Sequence, residues 1–134
     1  MDIIIRNDKR LHEIQSEFQK RFPYLKIEFF HPKPAPHDYS AKDIINPSNK
    51  IEEVAKIADS PILHITGLMA VSELEMHFRE MLGIHVEVFR KSGKVWLKTS
   101  ATDHWTLDEQ NKEAQESESG NENKPEHEDY HEQE

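Results

Sequence analysis

The sequence predicts an α+β fold: a mixed β-sheet with about three helices, made of two split β-α-β units and a C-terminal β-hairpin. A ferredoxin-like sandwich satisfies that layout. Three observations carry the prediction. Two stretches, Leu11 to Phe22 and Val71 to Leu82, place apolar residues at helical spacing. Each is preceded by a short aliphatic run and followed by a longer run suited to a strand. Between two such runs near the end of the domain, Ser92-Gly93 offers a hairpin turn.

Taken in order, Ile3, Ile4 and Ile5 form a continuous apolar run, as in a strand buried on both faces. Asn7 and Asp8 offer an N-cap for a helix from Asp8 to Arg21 with the stripe Leu11, Ile14, Phe18 and Phe22. Pro23 ends it. Leu25, Ile27 and Phe29 then alternate with Lys26, Glu28 and Phe30 in a second strand, expected parallel to the first through a right-handed crossover. Pro32, Pro34, Pro36 and Pro47 keep residues 31–50 out of regular pairing, and Ile44 with Ile45 is the expected anchor of this loop. A short helix follows with Ile51, Val54, Ile57 and Ala58 on one face, stopped by Ser60-Pro61. Ile62 to Ile65 reads as a strand. The third helix carries Val71, Leu74, Phe78, Met81 and Leu82, with Ser72 and Glu75 as a capping box and Gly83 just past its end. Ile84 to Arg90 and Lys94 to Thr99 are the hairpin strands. Thr106 and Glu109 repeat the capping-box pattern, which starts a short helix at Leu107.

Charge divides the chain. From Asp108 to Glu134 there are eleven acidic residues against Lys112 and Lys124, whereas residues 1–107 hold fifteen acids and fifteen bases. The acidity therefore belongs to the tail, and net charge alone does not exclude a nucleic-acid partner. Residues 1–111 are read as a single α+β domain and 112–134 as a disordered acidic tail, too poor in apolar side chains to offset the entropy of ordering. With no cysteine there is no disulfide framework, thiol nucleophile or Cys-ligated metal. No secretory leader or membrane-spanning run is evident, so a cytoplasmic protein is expected; a periplasmic one whose leader had been removed reads alike.

The runs Val71-Ser-Glu-Leu-Glu, Val86-Glu-Val-Phe-Arg-Lys-Ser-Gly93, Trp96-Leu and Thr102-Asp-His-Trp-Thr-Leu-Asp-Glu-Gln-Asn111 resemble a family of small, uncharacterised bacterial proteins of the Bacteroidetes type. Residues 11–30 are similar as well. The resemblance implies a bacterial cytosolic setting and an expendable tail, and it brings no activity with it.

The candidate site is the outer face of the hairpin. With Ser92-Gly93 as the turn, Phe89 faces Trp96 and Glu87 faces Lys98. Ile84, Val86, Val88, Val95 and Leu97 then take the core face. His85, Glu87, Phe89, Trp96 and Lys98 take the other, made basic by Arg90, Lys91, Lys94 and Lys98. One reading has Phe89 and Trp96 covered by residues 101–107, with Trp105 folding back over them. The other leaves the rings exposed, as a surface for a protein partner or, with its lysines, for single-stranded nucleic acid. The tail is read as a solvating segment, with docking on the basic hairpin as the alternative.

No cofactor or metal is expected. His31, His37 and Asp38 in the loop are the one set weighed as a site, His127 and His131 fall in the tail, and the other five histidines show no HExxH and no third ligand at a recognisable distance. Asp103-His104 near Ser100 and Thr102 does not make a triad from adjacency, and no phosphate loop, dinucleotide fingerprint or nucleophile elbow is present. The sequence thus points away from an enzyme. It points toward an interaction or regulatory module binding a protein through Phe89, Arg90, Lys91, Lys94, Trp96, Lys98 and Trp105, with nucleic-acid association as the alternative and no membrane partner.

Overall fold

Two segments of like pattern fold alike, and the architecture follows from how they meet. The computed structural model describes residues 1–34 and 38–120, with 119 and 120 by backbone alone. Its first half contains β1 (Asp2–Ile4), α1 (Leu11–Arg21), β2 (Leu25–Phe30) and α2 (Ile51–Val54). The second contains β3 (Ile62–His64), α3 (Val71–Leu82), β4 (His85–Ser92), β5 (Val95–Lys98) and α4 (Leu107–Gly120). One-turn 3-10 helices lie at Ala41–Asp43 and Ser100–Thr102. The α+β class is as the sequence predicts. No described helix is long and apolar enough to cross a membrane.

The halves are an internal repeat. Leu11, Ile14, Phe18 and Phe22 correspond to Val71, Leu74, Phe78 and Leu82, each pair sixty positions apart and each residue buried. The main-chain bonds repeat with them. Leu11 N donates to Asn49 O (3.0 Å) as Val71 N donates to Trp105 O (3.0 Å). Ile51 N donates to Lys9 O (2.8 Å) as Leu107 N donates to Met69 O (2.9 Å). Each half therefore tucks the start of a second helix beside the start of its first, so each entrance satisfies donors of the other.

Each strand pairs with its own counterpart. Ile3 lies opposite Leu63 in β1–β3, and Glu28 lies opposite Glu87 in β2–β4. Both pairings are antiparallel, as is the β4–β5 hairpin, and β1–β3 and β2–β4–β5 form separate sheets. The expected mixed sheet, with β1 parallel to β2, is thus corrected: the crossover rule applies within one sheet, and β1 and β2 belong to different ones.

The helices and both sheets share one core, in which Phe29 meets Phe78 edge-on with centroids 5.5 Å apart. β1 is buried on one face only, since Ile3 and Ile5 enter the core while Ile4 is 45% exposed. The caps shift as well. α1 starts at Leu11 and not Asp8, with Arg10 N donating to Glu13 Oε1 (2.8 Å). Its counterpart in α3 is Ala70 N donating to Glu73 Oε1 (2.9 Å), in place of the Ser72–Glu75 box. Gly83 ends α3 in the left-handed region, φ 70°, as its position suggests. Ile45 N reaches Phe29 O (2.8 Å) and Ile44 bridges Phe30, so the two isoleucines do anchor the Pro-rich loop.

The tail assignment changes most. α4 begins at Leu107 under a true capping box, Thr106 N to Glu109 Oε1 (2.8 Å) and Glu109 N to Thr106 Oγ1 (3.1 Å). It then continues to Gly120 with Ala114 buried, so residues 112–120 belong to the folded domain. The remainder of the expected tail, 121–134, lies outside the described residues.

Candidate binding groove on the outer sheet face

The alternation of β2 and β4 gives the larger sheet two faces. Leu25, Ile27 and Phe29 of β2 with Val86, Val88 and Arg90 of β4 point to the helices and are buried. Lys26 and Glu28, with His85, Glu87, Phe89 and Lys91, point the other way and are half-buried. β5 adds Trp96 and Lys98 to this second face.

The hairpin turn is Gly93-Lys94, with Gly93 at φ 61°, and not Ser92-Gly93. The ladder accordingly shifts by two residues: Phe89 lies opposite Lys98 and Lys91 opposite Trp96. A shift of two preserves the faces, so Phe89 and Trp96 remain on one side as diagonal neighbours instead of a direct pair. Val95, expected in the core, sits beside the turn at 55% exposure.

Two candidate residues fall on the opposite face. Arg90 alternates into the interior, where its Nη1 donates to Gln110 Oε1 (2.9 Å). Gln110 Nε2 in turn donates to Thr102 O (2.9 Å) and Thr102 Oγ1 (2.8 Å), which completes a buried polar network. Trp105 lies over that guanidinium, 5.5 Å from ring centroid to Cζ. It therefore does not fold back across Phe89 and Trp96, which lie on the other face. Parity alone placed Arg90 inward; its charge was what argued for the surface.

What meets the two rings is lysine. Lys26 Nζ lies 5.6 Å from the Phe89 centroid and 5.1 Å from that of Trp96. Lys91 Nζ lies 5.6 Å from the Trp96 ring. Each contact sets an ammonium against a negative π-face, worth about 0.5–1 kcal/mol at such half-exposed sites. Lys94, at the turn, is exposed.

The other end of the face is closed by the Pro-rich loop. Tyr39 stacks on His85 (3.9 Å, interplanar 11°) and packs on Phe30 (5.5 Å). Lys98 Nζ donates to Tyr39 O (2.7 Å) and Lys33 N to Tyr39 Oη (3.0 Å). Lys33 pairs with Asp43 at 2.8 Å; this bond and the Ser40 N–H hold the Asp43 carboxyl down to about 2. Between loop and hairpin lies a groove of about 280 Å³, lined by Lys26, Glu28, Phe89, Trp96 and Lys98 and by Tyr39, Ser40 and Ile44.

Acidic groups occupy the middle of this face. Glu28 pairs with Lys26 (3.4 Å) and Glu87 Oε2 lies 2.7 Å from His85 Nε2. On α3, Glu75 is pushed up to about 8 by burial, with the charges of Glu87 and Asp103 adding to the shift. Among the described residues no group of three His, Cys, Asp or Glu side chains is placed to hold a metal ion. His37, His127 and His131 lie outside the described residues.

Sequence reasoning missed Lys26, Glu28 and Tyr39. The alternation in residues 25–30 already put Lys26 and Glu28 on one face, but the β2–β4 pairing that brings them to the hairpin spans some sixty residues. Nothing in the Pro-rich loop marked Tyr39. No protein-family model matches the chain, and no curated protein or solved structure is significantly similar to it.

Proposed function

We propose that the protein is a binding module and that the groove on the outer sheet face docks an extended, acidic protein segment bearing an aromatic side chain. The observation that carries the reading is the half-exposed pair Phe89 and Trp96, edged by Lys26, Lys91 and Lys98. Flat rings give contact area at low entropic cost, and lysines at their edges select carboxylates. Arg90 and Trp105 are left out of this surface; Lys26 and Tyr39 join Phe89, Lys91, Lys94, Trp96 and Lys98. A bacterial cytosolic setting, taken from the resemblance at residues 71–111, belongs to the same reading.

Rings interleaved with lysines also suit single-stranded nucleic acid. The inward turn of Arg90 takes the guanidinium best suited to phosphate off this face, which favours the peptide. The test is fluorescence anisotropy with a labelled Glu/Tyr-rich decapeptide and, separately, an oligothymidylate. Trp96→Ala and Lys26→Glu are expected to weaken the peptide about tenfold each, in line with interface hot spots, at little cost in melting temperature. Loss of thermal stability without loss of affinity places the rings in the core and overturns the reading. Tighter binding of the oligonucleotide, with a steep salt dependence, replaces it with the nucleic-acid reading.

A further inference from the structure

We infer that the acidic segment 121–134 of this same chain occupies the outer-face groove and competes there with an external acidic partner. The inference rests on the docking reading above and names the first ligand the groove meets.

Three observations converge. The first is where the described chain ends. α4 packs along β4, and near its end Glu118 Oε2 accepts a hydrogen bond from Gly93 N (2.8 Å) at the hairpin turn. The described chain therefore ends beside the tip that carries Lys91 and Lys94. The second is reach. Phe89 lies four residues from Gly93 along β4, about 13 Å at strand rise. Fourteen extended residues span up to about 46 Å, enough to round the tip and cross the face with slack. The third is chemistry. The segment carries Glu122, Glu126, Glu128, Asp129, Glu132 and Glu134 against Lys124, and it carries one aromatic ring, Tyr130. These are the features the groove selects: carboxylates for Lys26, Lys91, Lys94 and Lys98, and a ring for Phe89 and Trp96.

Tethering makes a weak contact effective. A short connection supplies a local concentration in the millimolar range, so millimolar intrinsic affinity is enough to hold the site about half occupied. An external acidic segment must then displace the tail, and salt weakens both contacts together.

The chain has no cysteine, so one introduced at Gln133→Cys takes a single nitroxide label and leaves every charge in place. In the full-length protein at about 0.01 M salt, amide signals of Phe89, Lys91, Trp96 and Lys98 are expected to lose intensity. Those of Ser16 and Lys20, on the exposed side of α1, are expected to keep theirs. About 1 M salt, or the Lys26→Glu/Lys91→Glu pair, should restore the lost signals. Intensity loss confined to the end of α4 overturns the inference. The decapeptide of the preceding section separates it from the docking reading. Binding about twofold or more tighter to a chain ending at Gly120 supports competition by the tail. Equal binding to both chains removes the tail from the groove and leaves the docking reading standing. A tail on the face with no decapeptide binding keeps this inference and removes the external partner.

Discussion

Glu28 and Glu87 lie directly opposite each other in the β2–β4 ladder, at the point where the two halves of the chain meet their own counterparts. The register thus brings two carboxylates together on the outer sheet face. Each meets the residue two positions before it on its own strand, Glu28 with Lys26 at 3.4 Å and Glu87 with His85 at 2.7 Å. Like charges directly across a sheet are destabilising by a few tenths to about 1 kcal/mol. Removing one, with Glu87→Gln, is therefore expected to raise the melting temperature slightly or leave it unchanged. It should also lower the Glu75 pKa, because Glu87 is one of the charges that raise it. A carboxyl-carbon NMR titration reads the second effect; an unchanged Glu75 midpoint would refute the coupling.

Glu75 itself gives a pH dependence. Its folded pKa, about 8, stands above the ordinary value of 4.5. The folded state then binds a proton that the unfolded state releases, so stability declines as pH rises from about 4.5 through about 8. The repeat supplies its own remedy. Sixty positions earlier the equivalent residue is Gln15, whose Nε2 donates to Ile27 O at 2.8 Å on the edge of β2. Glu75→Gln should flatten the decline and stabilise the protein by about 1–3 kcal/mol at pH 8, with little change at pH 4.5. Urea melts of both proteins at the two pH values decide it; an equal gain at both would point to packing and not to the proton.

The Arg90–Gln110–Thr102 network predicts a separation of stability from binding. Arg90 is buried at 4% exposure and bonded to Gln110, itself at 0%. Gln110→Ala leaves a buried guanidinium short of one acceptor, which costs about 2–4 kcal/mol. Arg90→Met with Gln110→Leu removes both partners and should recover much of that loss. Decapeptide affinity is expected to hold in every variant that folds, since neither side chain lies on the outer face. Weaker peptide binding by the folded double variant would return Arg90 to the binding surface.

Much of this was legible in the chain, and the limits have a physical cause. Helical spacing marked α1 and α3, alternation marked β2 and β4, and parity fixed the faces of the hairpin even though the turn sat one residue later than expected. Those signals are local. The pairing of β1 with β3 and β2 with β4 is not, and it shows in the sequence only when Leu11, Ile14 and Phe18 are set against Val71, Leu74 and Phe78. Arg90 shows how residue type misleads: strand parity sent it inward, where Gln110, twenty residues away, accepts a hydrogen bond from it. Trp105 follows Arg90 for the same reason, and Tyr39 reaches the groove from a loop whose prolines gave no hint of its contacts.

Composition misled in α4 as well, and the last prediction tests why. Within α4 nothing after Leu107 except Ala114 resembles a core residue, yet Ala114 is buried at 1% and α4 packs along β4. A small side chain lets the helix approach the sheet closely. Around it Asn111 Oδ1 accepts from Tyr24 N (2.9 Å) and Glu118 Oε2 accepts from Gly93 N (2.8 Å), so the helix serves main-chain donors of β2's entrance and the hairpin turn. Removing the chain after Asn111 leaves the Tyr24 bond but uncovers β4 and frees the turn. A chain ending at Asn111 should therefore be less stable than one ending at Gly120 by about 1–3 kcal/mol, whereas ending at Gly120 should cost almost nothing relative to the full sequence. Ala114→Asp in the full chain should reproduce the loss, since it places an unpaired carboxylate against β4. Chemical denaturation of the four proteins checks this. If the Asn111 and Gly120 chains melt alike, α4 beyond its first turn contributes no stability, and the domain ends where the acidic composition begins.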